Sequence, residues 1–222
     1  MNWLRGVFGT PKEVDAGPVR EIAGVELPLG LRLGGAVALD AIAFKLARDA
    51  FLFVPPEGNL IVEAYGAVDL GGAAMLHRFY LSEDAFVQVN TTAGSVDEMK
   101  YFVFHETKHP ATIAAFRAWV EPGALLGGAM LDLDGRRYRR VWGESEDARW
   151  APPVVLDEKV YRGRPAKLDY DLTHYCMLYQ RDVDGSSRTE SLLVSAEDYG
   201  PDEFCITFSV GVDVTTADLD IT

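Results

Sequence analysis

Apolar and polar residues alternate along much of the chain, and the alternation is clearest in the last long segment. From Phe204 to Val214, apolar side chains occupy every second position. The positions between them hold Cys205, Thr207, Ser209, Gly211 and Asp213. A period of two is typical of a β-strand with one buried and one solvated face. We therefore predict an antiparallel strand whose small and polar residues face water.

An Asp-Gly dipeptide at residues 134–135 favours a type I′ turn and predicts a hairpin. Its flanking runs would pair Leu131 with Tyr138 and Asp132 with Arg137, and the opposed charges support that register. Further strands are expected at 36–39, 60–68, 74–81 and 86–90, and a second hairpin at 175–181 and 189–196. Short turns between successive strands favour a meander.

Helical character is confined to short segments. Pro110 suits the first position of a helix, which is expected to run to Val120, before Pro122-Gly123 ends it. Its buried stripe would consist of Ile113, Phe116 and Val120. Residues 39–50 form a second candidate helix. The predicted class is α+β, a predominantly antiparallel sheet of meanders and hairpins with one or two short helices.

The domain organisation follows from the placement of helix and strand breakers. Glycine and proline are frequent between residues 10 and 35, and this composition disfavours a regular helix or strand there. Residues 1–35 are therefore predicted as a short helix and an extended arm, and residues 36–222 as a single β-rich α+β domain.

Composition excludes several classes of protein. The 222 residues are 48% hydrophobic and 25% charged, values of an ordinary globular chain rather than a disordered one. No run of about 18 apolar residues predicts a transmembrane helix, and the N-terminus lacks a secretory signal, so we expect a cytoplasmic protein. Cys176 and Cys205 are predicted to be buried free thiols. With 34 acidic and 21 basic residues the net charge is −13, which disfavours nucleic-acid binding.

The acidic excess is concentrated at the C-terminal end. Residues 182–222 contain ten acidic residues and one basic residue, whereas the preceding 181 residues are nearly balanced. A solvated sheet face accounts for this excess, but so does docking to a basic protein partner. Candidate binding residues in this region are Asp198, Asp202, Glu203 and Asp213. A third alternative is a pocket for a small cation, such as a polyamine, lined by acids of the last strands.

A metal-binding motif occurs in the middle of the chain. His105, Glu106 and His109 match HExxH, which on a helix holds Zn²⁺ between two imidazoles with the glutamate as general base. The preceding aromatic residues 101–104 favour a strand, and Pro110 disfavours helical geometry at His109. A zinc-dependent hydrolase is therefore kept as the alternative function. No other cofactor is predicted.

The N-terminus carries a second candidate surface. Trp3 and Phe8 lie on the same side of the predicted short helix, together with Leu4 and Val7. This pattern can pack onto the domain, bind a partner or associate weakly with a membrane surface. The sequence alone leaves these alternatives open.

Several stretches resemble the YjfK-like family of bacterial proteins, whose function is unknown. They are residues 1–5, 80–89, 97–107, 177–181 and 191–197. The resemblance implies no catalytic residues, because that family has none assigned. It implies a cytoplasmic accessory role near the inner membrane, since related genes lie beside genes for a membrane-stress coat protein. Our first hypothesis is thus a non-enzymatic accessory protein, linked to a membrane-associated system, that binds a protein partner.

Overall fold

The computed structural model describes residues 19–45, 48–143, 149–201 and 203–222. Its strands are β1 (Glu21–Ile22), β2 (Val25–Glu26), β3 (Ala36–Leu39), β4 (Leu60–Gly71), β5 (Ala74–Leu81), β6 (Ala85–Thr92), β7 (Ser95–Lys108), β8 (Met130–Leu133), β9 (Arg136–Arg140), β10 (Val154–Arg162), β11 (Lys167–Asp182), β12 (Thr189–Gly200), β13 (Glu203–Asp213) and β14 (Leu219–Ile221). The α-helices are α1 (Ile42–Lys45) and α2 (Ile113–Val120), and 3-10 turns span Pro28–Gly30, Arg48–Ala50 and Thr216–Asp218.

Within the described residues, eight long strands close into an antiparallel barrel. The hydrogen-bonded order is β4, β5, β6, β7, β13, β12, β11 and β10, and β10 pairs back with β4. In this closing pair, Val160 lies opposite Gly66 and Tyr161 opposite Tyr65. The predicted antiparallel α+β class is confirmed. An eight-stranded barrel has an interior just wide enough to be filled by side chains or to hold one small ligand.

Local strand pairing agrees closely with the alternation in the sequence. In the β8–β9 hairpin, Leu131 faces Tyr138 and Asp132 faces Arg137, as predicted. The Arg137 guanidinium donates to the Asp132 carboxylate at 2.9 Å. Strand β5 has the bounds predicted for residues 74–81. Turn chemistry and cross-strand charge therefore suffice to place these short-range pairs.

The solvated face predicted for the last long strand was wrong. Residues 205–212 of β13 are all buried, including Cys205, Thr207 and Ser209. Barrel closure is the reason, because it turns the small and polar face of β13 inward, while the apolar face packs under an outer layer. The other interior polar side chains include Arg78, Gln88, Glu158, His174, Ser195 and Glu197.

An outer layer covers part of the barrel and forms the main hydrophobic core with it. This layer comprises the described part of the predicted N-terminal arm, α1, the segment that follows it, α2 and the β8–β9 hairpin. Leu31 of the arm is fully buried, and β1 and β2 pair as a small hairpin. Phe53 meets Tyr101 of β7 edge to face, with ring centroids 6.2 Å apart. The short helix predicted within residues 1–9 lies outside the described residues.

The helices are shorter than predicted. Helix α2 begins after Thr112, whose hydroxyl accepts a hydrogen bond from the Ala115 N–H at 3.2 Å. Phe116 is buried as expected, but Ile113 is 41% exposed and so does not belong to the buried stripe. Only parts of the helix predicted for residues 39–50 are formed. Helix α1 covers Ile42–Lys45 and a 3-10 turn covers Arg48–Ala50, whereas Leu39 belongs to β3, where it pairs with Leu219.

Glu190 of β12 holds the outer layer on the barrel. It is fully buried, and one of its oxygens accepts from the backbone N–H groups of Leu52 and Phe53, each at 2.6 Å. The other oxygen accepts from the Tyr138 hydroxyl at 2.8 Å and from Arg181 at 2.7 Å. Three separate parts of the chain therefore meet at a single carboxylate.

We expect Glu190→Gln to lower the free energy of unfolding by about 3 kcal/mol, because the partly buried Arg181 loses its charged partner and the new NH₂ group faces other donors. Urea unfolding measures the change. The matched control is Glu57→Gln at an exposed loop position, which should shift stability by less than about 0.5 kcal/mol. Equal stability of the two variants would contradict the anchoring role of Glu190.

Candidate functional site

A network of buried charges occupies the middle of the barrel. Arg78 of β5 donates through Nη1 to Oε2 of Glu158 on β10 at 2.6 Å. The same oxygen lies 2.7 Å from Nε2 of His174, and the Tyr80 hydroxyl donates to Oε1 at 2.8 Å. Arg78 Nη1 also lies 3.0 Å from His174 Nε2, and on the other side of the ring Nδ1 lies 2.9 Å from the Ser195 hydroxyl.

Glu158 stays ionised although it is fully buried. Burial by itself raises its pKa, but the charge of Arg78 and the hydrogen bonds from His174 and Tyr80 outweigh that effect and hold the pKa at about 2. Gly66 makes room for this carboxylate, since a Cβ there would lie 1.6 Å from Glu158 Oε1. The network therefore lies in the interior of the barrel, away from solvent.

One end of the barrel opens as a cavity of about 250 Å³, which we call the mouth. It is formed where β5 and β12 end and where β11 and β13 begin. Aromatic walls come from Tyr80, Phe104, Tyr170, Tyr199 and Phe204. Ionisable groups at the mouth are Glu63, Glu197, Glu203, Arg162, His109 and Cys205.

Glu197 forms the polar floor of the mouth. Its oxygens accept from the Tyr199 and Thr207 hydroxyls, each at 2.7 Å. The Cys205 thiol also points at this carboxylate, at 3.7 Å. Burial, reinforced by the Glu197 charge, raises the pKa of both Cys205 and Tyr199. The thiol is therefore a protonated hydrogen-bond donor here, rather than a thiolate nucleophile.

The HExxH residues lie in extended chain rather than on a helix. His105 and Glu106 belong to β7, and His109 follows its last residue. Residues 105 and 109 are thus about 13 Å apart along the strand. His105 lies 2.8 Å from the Asp134 carboxylate, whereas His109 lines the mouth. Over the described ranges no group of three or more His, Cys, Asp or Glu side chains is placed to hold a metal ion. The helical zinc geometry expected of this motif is not formed.

Comparison with known proteins decides the family. A family model described as Protein of unknown function (DUF2491) matches residues 3–220. The chain belongs to the DUF2491 family. A relative is the Uncharacterized protein YjfK of Escherichia coli (strain K12), which is 32% identical over 202 residues, 87% of this chain and 90% of the relative. The resemblance to YjfK-like proteins is thereby confirmed, and no solved structure matches the sequence.

The acidic residues singled out in this DUF2491 member do not form one surface. Glu203 lies at the mouth, but Asp213 ends the same strand about 33 Å away and is paired with Lys100. Asp198 lies next to β13 and accepts from the Gly200 N–H at 3.0 Å. The remaining candidates, Asp202, Trp3 and Phe8, lie outside the described residues.

The most informative residues of the mouth were not identified from the sequence. Glu197 and Tyr199 are two positions apart and so share one strand face. The strand predicted to end at residue 196 continues to Gly200, and only that longer strand includes both residues. Glu63 and Tyr170 carry no such signal, because only barrel closure brings their strands together. Across the described residues of this DUF2491 member, no helix is long and apolar enough to span a membrane.

Acid should destabilise the protein as the pH falls from about 4.5 to about 2. In the unfolded chain Glu158 binds a proton near its ordinary pKa of 4.5, whereas the folded state keeps the charge to about 2. The unfolded state therefore takes up the proton first, and stability is lost as pH falls. Burial also lowers the pKa of His77, so a smaller loss should begin below about pH 6.5.

Urea unfolding over a pH series measures this dependence. Below about pH 4.5, Glu158→Gln should flatten the plot of unfolding free energy against pH, whatever its effect on absolute stability. Glu57→Gln should keep the slope of that plot as it is in the unaltered protein. A slope that is identical in all three proteins would contradict the charge assigned to Glu158.

Proposed function

We propose that this protein is a non-enzymatic binding protein whose mouth binds a small organic cation, such as an aliphatic amine. The observation that carries the proposal is the composition of the mouth, where carboxylates stand among aromatic rings. Such a wall attracts an ammonium group by charge and by its π-faces, an attraction that is effective within about 6 Å of a ring centroid.

The charge at the mouth favours a cation. Glu63 and Glu203 are exposed at the rim, and Glu197 is buried at the floor. The guanidinium of Arg162 also lines the mouth, but it lies 3.2 Å from the Asp169 carboxylate, which offsets its charge. Among the described lining residues, carboxylates therefore outnumber guanidinium groups.

The dimensions of the mouth limit the ligand to a small molecule. Its volume of about 250 Å³ is below the range of about 300–1,000 Å³ usual for drug-sized ligands. Beneath it, the buried Arg78 and Glu158 pair lies in the barrel, and the space left beside Arg78 is only about 10 Å³. The tilted rings of Tyr170 and Tyr199, with centroids 5.7 Å apart, form one wall against which an alkyl chain can pack.

The chemistry of the mouth supports binding rather than catalysis. Cys205 and Tyr199 stay protonated, for the reasons given above. The oxygens of Glu197 are occupied by the hydroxyls of Tyr199 and Thr207, which position that carboxylate. These groups therefore supply a fixed negative charge beside hydrogen-bond donors that do not ionise.

The accessory role implied by the family resemblance is part of this proposal. A cation-binding barrel in the cytoplasm would act with a protein partner close to the inner membrane, and Trp3 and Phe8 would provide the attachment. Flotation of the full chain with liposomes, compared with a chain lacking residues 1–9, tests the membrane part. Equal flotation would remove the membrane role from these two residues.

We expect spermidine to bind at one site in calorimetry, and to do so at 0.15 M salt, where screening removes long-range attraction. The double variant Glu63→Gln/Glu203→Gln should weaken binding by about fivefold or more, since each exposed carboxylate contributes modestly to holding an ammonium group. The double variant Glu26→Gln/Glu57→Gln removes the same charge at exposed positions away from the mouth and should bind like the unaltered protein.

Either of two results would overturn the proposal. One is binding that vanishes at 0.15 M salt, which would indicate attraction to the net negative charge alone. The other is an equal loss of affinity in the mouth variant and in the charge-matched control.

A further inference from the structure

Glu197 differs from the other buried carboxylates of the described structure in its partners. Glu158 is paired with Arg78 at 2.6 Å, and Glu190 is paired with Arg181 at 2.7 Å. Glu197 is only 6% exposed, yet within the described part of the chain its ion-pair contact is with an imidazole and not with a guanidinium or ammonium group. A buried charge without a close countercharge is costly, so this carboxylate favours the approach of a cation.

The contacts that Glu197 makes leave room for a further donor. Its short hydrogen bonds come from the neutral hydroxyls of Tyr199 and Thr207. The imidazole Nδ1 of His174 lies 3.8 Å away and is closer to the Ser195 hydroxyl, at 2.9 Å. A carboxylate offers about four lone-pair positions, and two short bonds do not use them all. Because Glu197 also lines the mouth, a ligand there can supply the missing positive charge.

Two further carboxylates lie nearer the opening of the mouth. Glu203 and Cys205 both line the mouth from β13, and two residues span about 7 Å along a strand. Glu197 lies opposite Cys205 in the strand pairing, so Glu203 is about 7 Å further towards the opening than the floor. Glu63 of β4 also lines the mouth and is exposed, as Glu203 is. Negative charge therefore occurs at two levels of the mouth.

We infer that the ligand of the mouth is a linear diamine whose two ammonium groups are separated by about four carbon atoms. In extended 1,4-diaminobutane the two nitrogens are about 6 Å apart, from ordinary C–C and C–N bond lengths. One ammonium group binds Glu197 at the floor, and the other binds Glu63 and Glu203 at the rim. The alkyl chain between them packs against the rings of Tyr170 and Tyr199. This inference rests on the proposed function and adds the spacing of the ligand's charges.

The two levels of charge discriminate among amines of similar chemistry. An amine with a single charge leaves the rim carboxylates without a partner when its ammonium group is at the floor. A diamine with eight carbons places its second ammonium group about 11 Å from the first, beyond the rim and in water. Affinity should therefore be highest for the diamine whose length matches the distance between floor and rim.

Calorimetry at 0.15 M salt with a series of amines tests this spacing. The series consists of 1,4-diaminobutane, 1,8-diaminooctane, and butylamine and 4-amino-1-butanol, which each have a single charge. We expect 1,4-diaminobutane to bind about tenfold more tightly than 4-amino-1-butanol, of which about twofold comes from its two equivalent ends and the rest from the exposed rim carboxylates. It should also bind more tightly than 1,8-diaminooctane.

Two charge-matched variants locate the second ammonium group. In Glu63→Gln/Glu203→Gln, the preference for 1,4-diaminobutane over 4-amino-1-butanol should fall from about tenfold to about twofold, because only the two equivalent ends then remain. Glu26→Gln/Glu57→Gln removes the same charge from exposed residues that do not line the mouth, and it should keep the tenfold preference.

The outcomes separate this inference from the proposed function. Equal affinity for the diamine and the amines with a single charge, or affinity that rises steadily to 1,8-diaminooctane, would overturn the inference and leave an amine site in place. A tenfold preference that persists in the rim variant would also overturn it. Absence of binding by every amine would overturn the proposed function and this inference together.

Discussion

The ion pair between Arg78 and Glu158 is the constraint on which the barrel interior depends. The two residues lie on β5 and β10, which are not neighbours, because β4 runs between them. The side chains meet across Gly66 of β4, where any larger residue would collide with the carboxylate. Two charges buried without each other would each be strongly destabilising, so this contact favours the closed arrangement in which they pair.

A second buried carboxylate with several hydrogen-bond donors lies on the outside of the barrel. Glu190 is buried beneath the outer layer as Glu158 is buried within the interior, and each carboxylate collects donors from separate parts of the chain. A carboxylate with several donors fixes geometry more strictly than apolar packing does, because leaving any one donor unpaired is costly. The mouth is the place where this strict internal pairing ends. There, Glu63 and Glu203 reach solvent without a comparable set of donors in the described structure.

Much of the fold could be predicted because its signals are local. The turn at residues 134–135 and the charges of Asp132 and Arg137 gave the correct hairpin register. The apolar run before His105 indicated a strand, and that preference decides the HExxH motif, since its chemistry requires a helix. His174 lies in strand β11, where its two ring nitrogens contact Glu158 and Ser195.

Barrel closure could not be predicted, and the functional geometry follows from it. In the pair of strands that closes the barrel, residues 64–67 of β4 lie opposite residues 159–162 of β10, nearly a hundred positions further along the chain. Neither segment shows a local preference for the other. Unless the closure is known, polar residues such as Thr207 and Ser209 look like residues of a solvated strand face. The alternation in the sequence shows that the strand has two different faces, but it does not show which of them contacts water. Charged residues inside the barrel are likewise indistinguishable from surface charges until their partners are known.

The most direct test of a ligand-binding mouth is an NMR titration of the full-length protein with spermidine at 0.15 M salt. Binding at the mouth predicts saturable shifts of the backbone amides of Tyr170, Tyr199 and Cys205. Amides at the opposite end of β13, near Lys100 and Asp213, should stay unchanged. Shifts of similar size at both ends of the barrel, or shifts that do not saturate, would contradict a specific site at the mouth.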